Sequence, residues 1–426
     1  MPDPRRWLAL FTVLTAAFMV LLDVSIVNVA IPSIQANLHA SYADVQLVLA
    51  GYALGYALFL VTGGRLGDIY GRKRLFMIGM AGFVAASLLC GLAQSPTMLV
   101  LSRVFQGLMA ALMYPQVLSV IQVVFPPQER GKAFGVFGGI VGIATITGPL
   151  VGGLIIRDDI TGSAWRWVFL VNLPVGVGSL IAASRFLPES RAPLAHRLDL
   201  VGVAILSSGL GLLVYPLVEG RDLGWPAWSF AMMIASPVVI LLFVLYERGL
   251  QGGGSPLVVL SLFRNRAFTA GWLVAGVFFA AVPAFFFVLS LMMQIGLGWS
   301  ALHSGLTTIP FAAGSAIASA MSVRLAPRLG RWILAIGCGL LVVGMCALVL
   351  TLHEAAENVT SLELVPALLV SGLGLGSTIA PLLNVVLAGV SGREAGSASG
   401  LISTVQQIGA AVGVAIIGVI FFALLG

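Results

Sequence analysis

Apolar segments recur along the whole chain, each long enough to cross the ~30 Å of hydrocarbon in a bilayer as a helix of about 20 residues. Thirteen can be placed, at roughly 7–35, 46–63, 75–95, 98–123, 132–156, 166–187, 198–218, 227–247, 268–293, 301–325, 332–352, 363–389 and 397–424. Charged residues make up 9% of the 426 positions and hydrophobic residues 59%, whereas a soluble domain carries about 25% charged residues. The surface of such a molecule must face lipid, and the expected fold class is an all-α integral membrane protein. Arg5-Arg6 before the first apolar run resembles a secretory leader. The run is too long, contains Asp23 and lacks a small-residue cleavage site, so it reads as an uncleaved first helix.

The net charge of +6 raises the question of a nucleic-acid partner, and the placement of the charges answers it. With the amino terminus inside, eighteen of the 22 basic residues fall in inner segments. Only Arg157, Arg166 and Arg221 fall outside, and Arg103 lies within a helix. This asymmetry orients a multi-pass protein of the cytoplasmic (inner) membrane with its N-terminus cytoplasmic; no nucleic-acid partner is expected. Sixteen acidic residues, four histidines and three cysteines leave little material for a metal site. Cys90, Cys338 and Cys346 all lie in apolar segments, so no disulfide framework is expected. No nucleophile–base pair appears either, and the chain does not read as an enzyme.

Between the second and third apolar segments lies a glycine-hinged basic turn, Gly64 to Arg74. A degraded copy follows 259 positions later, with Arg324-Leu325 and Gly330-Arg331 opposite Arg65-Leu66 and Gly71-Arg72. Glu129 to Gly135 matches Glu394 to Gly400 at an offset of 265, and Gly135, Ala144 and Gly148 share the spacing of Gly400, Gly409 and Gly413. Gly107 and Pro115 of the fourth segment likewise stand near the counterparts of Gly372 and Pro381. Matches in one order in both halves indicate a parallel repeat of helices, a known way to build a transporter with its substrate site between the halves. The expected organisation is a six-helix bundle at 1–190, an inserted helix pair and connector at 191–256, and a C-terminal bundle at 257–426. A counterpart of segment 166–187 would fall near 431–452, so this form is expected to lack the sixth helix of its second half. The alternatives are a truncated form and a second half that functions with five helices.

Together these residues resemble the major facilitator superfamily, and within it the fourteen-helix drug:proton antiporters of the EmrB/QacA type. Leu22 to Pro32 resembles the family's first-helix motif, Gly64 to Arg74 its motif A, and Leu101 to Gly107 its motif B. Gly148-Pro149-Leu150-Val151-Gly152-Gly153 resembles the antiporter motif C, and Trp165 to Pro174 a signature of the fourteen-helix group. The sequence departs from the pattern at Ala144, where motif C has a glycine, and at Gln406-Gln407, where relatives often carry Arg-Gln. The resemblance implies two pseudo-symmetric helical bundles with an inserted pair, and multidrug efflux driven by a proton gradient without a cofactor. A periplasmic adaptor would be a further partner of unknown identity. An importer of a small metabolite on the same fold, and a transport-inactive sensor or scaffold, remain as alternatives.

Two intramembrane charges are candidates for proton coupling. Asp23 falls midway along the first helix, where an aspartate costs on the order of 3 kcal/mol on insertion scales. Arg103 lies at a similar depth in the fourth helix, with Gln106 on the same face, so depth permits pairing with Asp23; the alternative is an arginine that snorkels to the outer headgroups. In motif A, Gly64, Gly67 and Gly71 permit a tight turn and close contact, and Arg72-Lys73-Arg74 are expected to anchor the inner surface. Asp68 breaks the basic pattern and is expected at the amino-terminal end of the thirteenth helix, near Gly396-Ser397, as a gating latch between the halves. In motif C, Gly148, Pro149, Gly152 and Gly153 bend the fifth helix and admit a close neighbour. Asn28, Gln106, Tyr114, Gln116, Gln294 and Asn384 are candidates for sparse hydrogen bonds in a mostly apolar cavity. That chemistry favours lipophilic neutral or weakly cationic compounds.

Overall fold

The computed structural model describes residues 5–157, 163, 165–192, 198–220, 223–250, 256–330, 332–355, 359–392 and 394–425. Arg197, Arg221, Gly252 to Ser255, Arg331 and Arg393 therefore lie outside the described residues. Long helices dominate the chain: α1 (Arg6–Leu38), α2 (Tyr42–Tyr70), α3 (Arg72–Gly91), α4 (Pro96–Val124), α5 (Pro127–Arg157) and α6 (Trp165–Phe186). They continue with α7 (Leu200–Glu219), α8 (Ala227–Leu250), α9 (Arg266–Leu291), α10 (Ile309–Leu329), α11 (Trp332–Ala355), α12 (Ser361–Ala388) and α13 (Ala395–Leu425). Among the described residues, eleven segments are long and apolar enough to cross a membrane; α5 and α10 are the two further long helices, with 31 and 21 residues.

Local chemistry sets the boundaries. Ser41 and Asp44 form a reciprocal capping box at the start of α2, and Thr360 and Glu363 do the same for α12. Ser95, followed by Pro96, caps α4, and Asp199 and Asn265 cap α7 and α9. Two interruptions differ from the sequence expectation of unbroken spans. Val171 splits α6 into Trp165–Leu170 and Asn172–Phe186, because Pro174 has no N–H to offer the carbonyl of Leu170. The expected span 301–325 is likewise split at Thr308, ahead of Pro310, into a short helix Ala301–Thr307 and α10.

Glycines decide which helices touch. A Cβ on Gly107 of α4 would come 2.2 Å from the carbonyl oxygen of Tyr52 in α2. One on Gly372 of α12 would come 2.0 Å from the carbonyl oxygen of Phe311 in α10. Gly372 is the repeat partner of Gly107 at offset 265, and Phe311 that of Tyr52 at offset 259, so one backbone crossing occurs once in each half. Gly148 sets α5 against α1, while Gly409 and Gly413 set α13 against α9. Across the seam, α5 packs on α10 and α12, and α2 and α4 pack on α13. The pair α7–α8 packs on itself and leans through α7 on α2 and α13. Outer faces are apolar: Ile234, Val238, Leu241 and Leu245 of α8 and Val342, Val349 and Leu350 of α11 are exposed, as lipid contact requires.

These crossings have a measurable consequence. Gly107→Ala and Gly372→Ala should each lower the thermal unfolding midpoint of the detergent-solubilised protein, since overpacking costs about 1–3 kcal/mol. Gly139→Ala, with nothing within 4 Å of the added carbon, should leave the midpoint unchanged.

Candidate functional site

Five helices converge on Asp23. The carboxylate is fully buried, and its Oδ2 accepts a hydrogen bond from Nη1 of Arg103, which is 1% exposed. Oδ1 accepts from Nε2 of Gln106 at 2.9 Å and from Nδ2 of Asn172 at 3.3 Å. Gln106 also accepts from Arg103 Nη1 at 2.6 Å and donates to Ser87 Oγ of α3 at 2.9 Å. Nε of Arg103 donates to the Val48 carbonyl at 3.3 Å. The guanidinium carbon lies 4.2 Å from the centroid of Tyr52 and 5.7 Å from that of Phe169. The α1–α4 pairing that depth permits is therefore present. Arg103 does not reach for headgroups, and Ser25 and Asn28 bond carbonyls of their own helix rather than Asp23. Asn172 was not anticipated; it enters the site because the break at Val171 begins a new helical segment there.

Such a pair is costly to remove by halves. Removing one partner of a buried ion pair strands the other and costs about 3–5 kcal/mol, although the intact pair adds little net stability. Among the described residues, the partners of Asp23 are all donors, the set an acceptor carboxylate requires.

A second constellation closes one end of the seam between the halves. Asp68, near the end of α2, is fully buried. Its Oδ1 accepts from the backbone N–H of Gly396 at 3.1 Å and its Oδ2 from that of Ser397 at 3.1 Å, both in the first turn of α13. This is the helix end at which the sequence places it, and the free N–H groups and dipole there favour an anion. Gly71 turns the chain with φ +109, and Arg72 then points inward rather than onto the surface as expected. Its Nη2 donates to Asp68 Oδ1 at 2.5 Å and to the Gly392 carbonyl at 3.0 Å. Lys73 is half-buried, its Nζ on the Ser184 carbonyl at 2.8 Å, and Arg74 stays exposed. Gly64 admits α13 closely: an added Cβ would lie 2.3 Å from the Gly396 carbonyl oxygen. Sequence reasoning missed Gln122 of α4, whose Nε2 donates to the carbonyls of Leu387 and Val390 at 2.7 and 2.9 Å, where α12 ends. One half thus holds a helix start of the other with a carboxylate and a helix end with an amide.

In motif C, Gly148 lies against Ser25 of α1, two residues from Asp23, and a Cβ added to Gly153 would lie 3.5 Å from Leu302 of the short helix Ala301–Thr307. Gly152 is buried, α5 runs through Pro149 without a break, and the side chain of Pro149 lies outside the described residues. The cavity candidates do not form one group. Gln116 is drawn into packing, donating to the Gly63 and Leu112 carbonyls at 2.9 and 3.0 Å, and Gly67 abuts its amide. Gln106 serves the ion pair instead of a cavity. Gln294 is exposed and bonded to Ser290 at 2.7 Å, Asn28 is exposed, and the Asn384 amide would lie 3.9 Å from a Cβ added to Gly131. Tyr114 stacks edge-on against Tyr56, beside Tyr52 and the Arg103 guanidinium.

The charge pair makes a testable claim of its own. Asp23→Asn and Arg103→Gln should each lower the unfolding midpoint more than the double variant does, a non-additivity that a double-mutant cycle on the purified protein would measure.

The family model described as Major Facilitator Superfamily matches residues 13–414. A probable actinorhodin transporter of Streptomyces coelicolor is 45% identical over all of this chain and 74% of its own length. A tetracenomycin C resistance and export protein of Streptomyces glaucescens is 33% identical over 99% of this chain and 77% of its own. The proton:xylose symporter XylE shares the fold with a TM-score of 0.68 at 15% identity, covering 100% of this chain and 90% of that one.

Proposed function

The chain belongs to the Major Facilitator Superfamily, as a membrane transporter and not an enzyme, and we propose that it exports lipophilic neutral or weakly cationic compounds across the cytoplasmic membrane in exchange for protons. The observation that carries this reading is the sealed Asp23–Arg103 pair at the centre of the first six helices. In hydrocarbon a lone carboxylate is too costly to keep, whereas one held by a guanidinium and released from it can pick up a proton. Arg103 stays charged throughout and acts electrostatically. Each inward proton gains about 2.3 kcal/mol per 100 mV of membrane potential, and no cofactor is needed.

The end at which α1 begins faces the cytoplasm in this reading, where the basic residues concentrate. The Asp68 clasp on α13 then closes the cytoplasmic side and favours an outward-facing state. Export rather than import agrees with relatives named for resistance and export, and with the tight motif C contact between α5 and α1. A neutral or weakly cationic substrate agrees with α9 to α13, which carry no fully buried carboxylate among the described residues.

A susceptibility panel in an efflux-deficient host provides the test. The parent chain should raise tolerance to a subset of lipophilic antibiotics, and Asp23→Asn at equal expression should abolish it. In everted vesicles the parent should acidify-couple its transport, losing it when the pH gradient is collapsed. Uptake by Asp23→Asn with an unchanged response to that gradient would refute proton coupling through this residue.

A further inference from the structure

The inserted pair α7–α8 is in contact with the clasp. Ser207 of α7 donates to the Leu58 carbonyl of α2 at 3.1 Å. Leu206, Leu210 and Phe243 form one apolar cluster with Val61, Leu257 and Val258, against which Leu401 and Ile408 of α13 pack. At the end of α8, Glu247 is fully buried. Its carboxylate accepts from the backbone N–H of Leu257 at 2.9 Å and from that of Val258. These residues lie in a bent, non-helical stretch whose amides have no helix to satisfy them. The Leu257 carbonyl in turn accepts from the hydroxyl of Ser397 at 3.5 Å, and the backbone N–H of Ser397 is held by Asp68. Arg65, three residues before Asp68 and 6% exposed, interacts electrostatically with both carboxylates.

We propose that Glu247 is a positioning residue for the clasp, fixing the Leu257–Val258 stretch beneath the start of α13 so that the inserted pair braces the closed end. The proposal rests on the reading of the Asp68 clasp as a gate. A carboxylate with two backbone donors makes charge-assisted bonds, about twice as strong as neutral ones. Without it, two amides are left in an apolar setting and Arg65 loses one of its two anions. The stretch then no longer fixes Ser397, and the bond between Ser397 and Asp68 weakens although neither residue has changed.

Site-directed labelling tests this without any knowledge of the substrate. Cys338 and Cys346 are replaced by alanine, leaving the buried Cys90, and Ser399→Cys is added; Ser399 is fully buried one turn into α13. A membrane-impermeant maleimide is applied to everted vesicles and the labelled peptides are assigned by mass spectrometry. Glu247→Ala should raise the labelling rate at the Ser399→Cys site about tenfold, the effect of one unsatisfied buried group, without raising that of Cys90. Glu247→Gln, which keeps an acceptor for the amides, should return the rate most of the way to the parent. An unchanged rate in Glu247→Ala overturns the proposal, and so does an equal rise at Cys90, which signals general loosening. Asp68→Asn in the same assay judges the gate, and the susceptibility panel judges export, so the three readings fail separately.

Discussion

Hydrocarbon cannot solvate charge, and this constraint organises the molecule. An ionised group within the bundle needs solvation, and for two carboxylates neighbouring helices supply it. Asp23 is solvated by a guanidinium and two amides drawn from α4 and α6, and Asp68 by the first N–H groups of α13 and by Arg72. Each carboxylate thereby ties together helices that apolar packing alone would leave free to slide, because lipid tails compete equally for an apolar face.

The two sites differ in what they connect. Around Asp23 the partners found among the described residues lie in the first half. Around Asp68 the partners straddle the seam, and Gln122 adds a second crossing nearby. Helix α5 touches both halves: it presents Gly148 of motif C to the helix carrying Asp23, while Gly138 and Gly142 face Ile379 and Ser315 of the second half.

Much of this was legible in the sequence because membrane burial makes charge rare. The thirteen apolar runs, the depth match of Asp23 and Arg103, and the lone acid in a basic turn all stand out against a background with few alternatives. Amides and backbone partners do not stand out. Asn172, Gln122 and Glu247 bind carbonyls, N–H groups or a residue far along the chain, and no complementary residue type marks their targets. Arg72 could not be told from Lys73 and Arg74 until the φ of Gly71 selected which side chain turns inward. Gln116 looked like a cavity residue because its type was right; the neighbouring Gly63 and Gly67 decide its fate.

The interruption of α6 at Val171 carries one more consequence. Trp165 is anchored by its indole to Asn37, and Thr15 and Ser179 bond at 2.6 Å on the other side of the break, so both flanks are moored separately to α1. Asn172 sits at the joint between the moorings. The amide that reaches the buried carboxylate is thus presented from a point tethered above and below, not from the middle of a free-standing helix.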